Sequence, residues 1–227
     1  MASESLISLS SIFSKHGTDK GPEGHNYCRQ YESLLARFRN QKVRLLEIGV
    51  HKGNSLRMWR DVFPSADMIV GLDVIKTCAQ HQCLENNIYV EIGDATTPAF
   101  ISKVTEKYGP FDIIIDDGGH TNTAVIKSFE LLFPHVKENG LYIVEDTNCY
   151  DLKRYHDNAA PHHLEYFWRR TRALNIHGKH NIRHCSDPFK LQRKPSDVPE
   201  ASIDKIEFGC SYIGITKLTR HHWLPLT

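Results

Sequence analysis

Five short apolar runs, separated by amphipathic stretches, occupy the chain between about residues 43 and 145. The runs are Val43–Ile48, Met68–Leu72, Ile88–Ile92, Phe111–Ile115 and Leu141–Val144. They are mostly apolar instead of strictly alternating, which is typical of parallel strands covered on both faces. The pattern therefore predicts an α/β fold with an open, doubly wound sheet, and ligands at the carboxyl ends of its strands.

Helical periodicity fills the spaces between these runs, so that strands and helices alternate. The clearest helical stretches are Ser55–Phe63 and Thr121–Phe133. Asn54 or Ser55 can cap the first helix, and Thr121 or the residue after it can cap the second. Near the end of the chain, Ile203–Cys210 and Tyr212–Leu218 predict a hairpin that closes one edge of the sheet.

The composition favours one domain over residues 1–227 that acts on a small molecule. The chain has 227 residues, 40% of them hydrophobic, and a formal net charge of +1. Such a balance gives no reason to expect a nucleic acid or a membrane as partner, although it leaves a homo-oligomer open. The six cysteines form no CxxC pair, which favours reduced thiols and a cytoplasmic location. We expect a helical N-terminal segment over 1–40 and a lid or substrate insertion over 148–200.

Acidic and glycine residues follow the first three predicted strands. Gly49 and Gly53 bracket a turn after the first strand, where glycine allows a ligand to approach the backbone. The spacing does not match a dinucleotide fingerprint, and Glu47 would repel a phosphate but suits an amino-bearing ligand. Asp73, after the second strand, is placed to accept hydrogen bonds from ribose hydroxyls. Asp94 follows the third strand and fits either an adenine amino group or an ordinary turn.

Two acidic pairs follow the fourth and fifth strands. Asp116 and Asp117 precede two glycines and His120, and Glu145 and Asp146 end the fifth strand. Unpaired, these carboxylates would repel one another in a partly desolvated cleft. A divalent cation with oxygen ligands, Mg²⁺ or Mn²⁺, would relieve that repulsion, whereas helix caps or solvent exposure would be the alternative.

The segments LLEIGVHKGNSL, GLDV, GDA, IIIDDGGH and IVEDT together resemble class I S-adenosylmethionine-dependent methyltransferases in order and spacing. More narrowly, DDGGH with VEDT is similar to the metal-dependent O-methyltransferases that act on sugars of macrolide and aminocoumarin natural products. HGTDKGPEGHNY is similar to an N-terminal segment of that group. The resemblance implies a mostly parallel, seven-stranded Rossmann-like sheet with an antiparallel C-terminal hairpin.

The resemblance also implies a role for each residue at the strand ends. Contacts with S-adenosyl-L-methionine would come from Glu47, Gly49, Gly53, Asn54, Ser55, Asp73, Asp94 and Asp116. Glu47 would bind the cofactor's ammonium or the local loop, Asp73 the ribose, and Asp94 the adenine edge. Asp117, Glu145 and Asp146 would hold Mg²⁺ or Mn²⁺, and His120 would be the general base.

The implied activity is transfer of a methyl group to a hydroxyl of a small molecule, such as a sugar or another natural product. A catechol-type phenolic O-methyltransferase and a non-catalytic cofactor-binding relative are the alternatives. Asn148 and Cys149 depart from the Ser-Tyr-Trp stretch common in the relatives, which leaves the acceptor open.

Overall fold

The computed structural model describes residues 8–157, 161–179 and 202–218, and contains a seven-stranded sheet. The strands are β1 (Arg44–Ile48), β2 (Met68–Asp73), β3 (Ile88–Ile92), β4 (Phe111–Asp116), β5 (Val136–Glu145), β6 (Ile203–Gly209) and β7 (Tyr212–Lys217). The helices are α1 (Leu9–His16), α2 (Cys28–Leu35), α3 (Asn54–Val62), α4 (Pro98–Tyr108), α5 (Asn122–Leu132) and α6 (His163–Lys179).

The strand order is β3-β2-β1-β4-β5-β7-β6. β1 pairs with β2 in parallel, and so does β2 with β3. β7 runs antiparallel to both β5 and β6. The predicted fold class, a mostly parallel doubly wound sheet with an antiparallel C-terminal hairpin, is therefore confirmed.

Residues up to Ile115 form one compact unit. Its aromatic core joins the N-terminal helices to α3, because the rings of Phe13 and Tyr31 lie 5.9 Å and 5.1 Å from the ring of the fully buried Trp59. These edge-on and tilted contacts bury large apolar surfaces. α1 and α2 lie in the predicted N-terminal segment, of which residues 8–40 are described.

Residues from Asp116 onward form a second compact unit. Its core centres on Phe129 of α5, whose ring lies 5.2 Å from that of Tyr142 on β5 and 4.9 Å from that of Phe167 on α6. Trp168, the next residue of α6, is by contrast 56% exposed. The helical period explains the difference, since Phe167 occupies the buried face and the next residue points about 100° away.

Two local expectations were wrong in detail. The segment between β2 and β3 contains two short 3₁₀ helices, Lys76–His81 and Leu84–Asn86, where an α-helix was expected. Gly53 precedes α3 as its cap residue, without a side-chain cap from Asn54 or Ser55. By contrast, Thr121 caps α5 as predicted, because its hydroxyl accepts a hydrogen bond from the backbone of Ala124.

The segment over 148–200 is described only in part. It contains 3₁₀ helices at Thr147–Asp151 and Lys153–Tyr155, followed by α6. Residues 158–160 and 180–200 of the predicted lid lie outside the described residues, and its role as a lid stays a prediction. Among the helices that the structure describes, none is long and apolar enough to cross a membrane.

Candidate functional site

A tight turn connects β1 to α3 in the first unit. Gly49 and Gly53 have φ angles of 96° and 68°, in the region that side chains rarely adopt. A Cβ atom on Gly53 would lie 2.6 Å from Cγ of His81. Both glycines therefore meet a backbone requirement, and Gly53 also meets a packing requirement.

Asp73 organises this turn. One of its carboxylate oxygens accepts hydrogen bonds from the backbone amides of Val50 (2.9 Å) and His51 (3.1 Å), and the other accepts one from Ile75 (2.8 Å). Burial by itself would raise the pKa of Asp73, but these backbone donors hold it below its usual value. Asp73 is thus an ionised carboxylate at the end of β2, as a ribose contact would require, and that contact stays a prediction.

Glu47 lies fully buried in β1 beside a cation that the chain itself supplies. Its carboxylate accepts a hydrogen bond from the Ser55 hydroxyl (2.7 Å), and the ammonium of buried Lys20 lies 3.7 Å from its other oxygen. Of the two predicted partners for Glu47, the cofactor ammonium and the local loop, this geometry favours the local loop. Because removing one partner of a buried ion pair is costly, Lys20 and Glu47 depend on each other.

Asp94 and Asn54 make short-range contacts within the first unit. Asp94 is exposed, and one of its oxygens accepts hydrogen bonds from both the amide and the hydroxyl of Thr96, each 2.8 Å long. The Asn54 side chain donates to the carbonyl of Gly17 (3.2 Å) and accepts from Arg57 (2.7 Å). These contacts fit structured turns, and cofactor contacts from either residue stay predictions.

Asp116, expected to serve the cofactor, is tied into the core of the second unit. Its buried carboxylate accepts hydrogen bonds from the hydroxyls of Ser128 and Tyr142, the latter over 3.0 Å. Burial raises the pKa of Asp116 in spite of these donors. The geometry supports a structural role that fastens the end of β4 to α5 and β5, and a cofactor contact stays a prediction.

Asp117, His120 and Asp146 come together in the second unit. The imidazole Nε2 of His120 lies 3.8 Å from a carboxylate oxygen of Asp117. His120 and Asp146 also belong to a cluster with Cys149, in which one ligand atom from each residue lies within 4.8 Å of the other two. Glu145, the last residue of β5, is 2% exposed. The structure thus places the predicted base beside two of the three predicted metal ligands.

Left-handed backbone conformations produce this arrangement. His120 has a φ of 53° and Asp146 a φ of 54°, left-handed conformations that are uncommon for residues other than glycine. The His120 ring meets the Tyr155 ring edge-on at 5.6 Å, which limits the directions it can take. The backbone conformation of His120 and its contact with Tyr155 therefore both constrain the imidazole.

The donor atoms here suit a hard divalent cation. Asp117, Glu145 and Asp146 offer carboxylate oxygens, the ligands that Mg²⁺ prefers in proteins. Burial, together with the negative charges of Asp146 and Asp117, raises the pKa of the Cys149 thiol, so acidic charge is concentrated at this point. In their donor chemistry the three predicted ligands therefore suit Mg²⁺, whereas the described residues whose donor atoms the structure groups within 4.8 Å are His120, Asp146 and Cys149, so a shared magnesium site of the three carboxylates stays a prediction.

His163 anchors α6 beside these turns. Its ring nitrogens lie 2.7 Å from the side-chain oxygen of Asn122 and 3.3 Å from the carbonyl of Thr147. Burial, followed by the neighbouring ring of His162, lowers the pKa of His163 to about 4. A neutral His163 thus connects α6 to the start of α5 and to the residue after Asp146.

Two residues of these sites were not predicted from the sequence. Lys20 lies within the segment HGTDKGPEGHNY, but nothing in the sequence around it distinguishes it from a surface lysine. Cys149 was noted only as a departure from the relatives. Its position three residues after Asp146 was the available signal, because residues three apart share one side of a 3₁₀ helix.

Comparisons with known proteins show similarity to methyltransferases. Residues 46–147 match a family described as a methyltransferase domain. The chain is 41% identical over 145 residues to mycinamicin VI 2''-O-methyltransferase of Micromonospora griseorubida, which covers 61% of this chain and 35% of that protein. It is 40% identical over 146 residues to demethylmacrocin O-methyltransferase of Streptomyces fradiae, covering 61% and 36%.

A solved structure extends the similarity to nearly the whole chain. The methyltransferase MycE from the mycinamycin biosynthetic pathway, in complex with Mg and SAH, superposes with a TM-score of 0.80 at 31% identity. The match covers 94% of this chain and 54% of that one. The chain spans about a third of the length of the curated relatives that it matches.

Proposed function

We propose that this chain, which resembles the metal-dependent sugar O-methyltransferases, carries a class I, S-adenosylmethionine-dependent methyltransferase domain and is a Mg²⁺-dependent O-methyltransferase. Its donor would be S-adenosyl-L-methionine, and its acceptor a hydroxyl of a sugar or another natural product. One observation carries the proposal most strongly: His120 lies 3.8 Å from Asp117 and beside Asp146 at the ends of β4 and β5.

The relatives support both parts of the proposal. The similar curated proteins are named mycinamicin VI 2''-O-methyltransferase and demethylmacrocin O-methyltransferase. The similar solved structures contain Mg and SAH, and one of them also contains mycinamycin VI. A sugar hydroxyl of such a compound is therefore the acceptor class to test first.

The first unit would bind the cofactor. Gly49 and Gly53 leave room at the backbone of the turn, and the carboxylate of Asp73 can accept further hydrogen bonds from ribose hydroxyls. Lys20 lies 3.7 Å from the buried Glu47 carboxylate of β1. These residues would fix the direction of the donor, since in-line transfer depends on orientation.

The second unit would activate the acceptor. When bound to Asp117, Glu145 and Asp146, Mg²⁺ lowers the pKa of a hydroxyl that it contacts. His120 would accept the hydroxyl proton on its imidazole, and the nearby Asp117 carboxylate would stabilise the imidazolium that results. Tyr155 keeps the His120 ring in place during this transfer.

The proposal also covers partners and location. We expect a small-molecule acceptor and no nucleic acid, and the five cysteines that the structure describes are all free thiols, which supports a reducing, cytoplasmic setting. A homo-oligomer is compatible with this function, and light scattering of the purified protein would measure the number of copies.

Metal dependence is tested by following the transfer of a labelled methyl group to a panel of glycosides, catechols and polyketides. We expect transfer to a glycoside with Mg²⁺, loss of transfer with EDTA, and recovery when Mg²⁺ is restored. Transfer only to catechols would favour the phenolic alternative. Full activity in the presence of chelator would contradict the metal-dependent mechanism.

The role of His120 is tested by His120→Ala. Because a positioned general base contributes about 10²–10⁴-fold, kcat should fall by at least about 10²-fold, while binding of SAH measured by calorimetry should be retained. His156→Ala is the matched control, since His156 is exposed on the same unit. Unchanged turnover in the His120 variant would remove this residue from the mechanism.

A further inference from the structure

Three different donor groups meet where β4 and β5 end in the second unit. One ligand atom from each of His120, Asp146 and Cys149 lies within 4.8 Å of the other two. Each of the three residues is partly exposed, so an ion from solvent can reach all of them.

Local backbone geometry fixes this cluster. The amide of Cys149 donates to the carbonyl of Asp146 over 2.9 Å, which places both residues on one turn of 3₁₀ helix. His120 and Asp146 both adopt left-handed backbone conformations, and Asp146 directly precedes that helix. The three donors are thus brought together by backbone conformation as well as by side-chain orientation.

The donor set differs from the one that Mg²⁺ uses. Magnesium takes hard oxygen ligands, whereas an imidazole, a carboxylate and a thiolate together suit Zn²⁺. In a tetrahedral zinc site, neighbouring ligand atoms are about 3.3–3.8 Å apart. The ligand atoms therefore need to approach one another by at most about 1.5 Å to give three protein ligands and one open position.

We propose that His120, Asp146 and Cys149 form a zinc-binding site, and that zinc bound there inhibits the methyl transfer that Mg²⁺ supports. Binding would release the proton of the Cys149 thiol to solvent. Zinc would occupy the imidazole lone pair that His120 needs as a base, and would take Asp146 from the magnesium site. The inhibition rests on the function proposed above, whereas zinc binding itself does not.

Cobalt absorption spectroscopy tests the binding directly. Co²⁺ is added to metal-free, reduced protein, and the near-ultraviolet band that reports a thiolate–cobalt bond is recorded. We expect the band in the wild type, its loss in Cys149→Ser, and its retention in Cys210→Ser, a control that removes an exposed thiol. No band in the wild type, or an equal band in Cys149→Ser, would overturn the zinc site.

Zinc titration then tests the consequence. Zn²⁺ should displace the bound cobalt, and Cys149→Ser should weaken zinc binding at least about tenfold, because one of three ligands becomes a poor donor. At fixed Mg²⁺, zinc should inhibit the wild type at lower concentrations than Cys149→Ser, and equal inhibition would overturn the link to catalysis. A cobalt band in a protein that transfers no methyl group would support the zinc site and contradict the proposed function. Methyl transfer by a protein that shows no cobalt band would support the proposed function and contradict the zinc site.

Chemical protection of the wild type makes the test independent of any variant. Iodoacetamide alkylation, mapped by mass spectrometry, should modify Cys149 more slowly with Zn²⁺ than with Mg²⁺. Cys210 should be modified at the same rate with either ion. Equal modification of Cys149 with both ions would contradict the proposal even if Cys149→Ser failed to fold.

Discussion

At the scale of single residues, Asp116 and Asp117 show how two adjacent carboxylates acquire different environments. Successive side chains at a strand end point in opposite directions. Asp116 accordingly points into the core of its unit, toward Ser128 and Tyr142, while Asp117 lies beside His120. The two acids are therefore expected to differ in what they stabilise, the fold in one case and the bound cation in the other.

Tyr142→Phe tests the structural role of Asp116, because the Tyr142 hydroxyl donates a hydrogen bond to the Asp116 carboxylate. Removing the hydroxyl takes a donor from a buried carboxylate, so the free energy of unfolding, measured in urea, should fall by about 1–3 kcal/mol. Tyr108→Phe is a matched control, because the Tyr108 hydroxyl donates to Glu91, whose side chain is 31% exposed. Water can replace that donor, and the loss should stay below about 1 kcal/mol. Equal losses in both variants would contradict a special role for the buried network.

At the scale of elements, α6 is held to the turns of the site by one buried histidine. His163 contacts Asn122 at the start of α5 and Thr147 after Asp146. Its ring must be neutral in the folded chain, because burial lowers its pKa to about 4. Protonation of the unfolded chain therefore competes with the docking of α6.

The stability of the protein should consequently depend on pH through His163. Between about pH 6.5 and about pH 4 the unfolded chain binds a proton that the folded ring does not, so stability falls as pH falls. This residue should account for a loss of about 2 kcal/mol between pH 7 and pH 5. Urea unfolding of His163→Gln should show a correspondingly smaller loss over this range. His156→Gln, at an exposed position, should behave like the wild type, and an unchanged pH dependence in His163→Gln would contradict the prediction.

At the scale of the whole molecule, the proposed function divides the work between two compact units. The first unit contains the glycine turn with Asp73, and the second contains Asp117, His120 and Asp146. Ligand binding stabilises only the folded state, so each ligand should raise the melting temperature through the residues that hold it.

Thermal unfolding can measure how much each ligand raises the melting temperature. SAH at 100 times its Kd should stabilise the fold by about 2.7 kcal/mol, or roughly 5–10 °C for a chain of this size. Mg²⁺ should add a further increase in the wild type. Asp117→Asn should keep the SAH increase and lose the Mg²⁺ increase. Loss of both increases in this variant would argue against separate roles for the two units.

The sequence by itself determined the strands and the location of the chemistry. Apolar runs predicted all seven strands to within a few residues except β5, which begins at Val136, before the predicted Leu141. Strand ends are local features of the sequence, so the glycines and acids that follow β1 to β5 could be identified without coordinates. The resemblance then added a function to these positions.

Only the tertiary structure decided which side chains share an environment. It placed Lys20 beside Glu47, directed Asp116 into the core, and brought Cys149 next to His120. The physical reason is that periodicity reports burial and strand direction, whereas these contacts join residues distant in sequence. His120 and Asp146 adopt left-handed backbone conformations that their local sequence does not require. The pairing of buried Lys20 with Glu47 is likewise set by the packing of the folded chain.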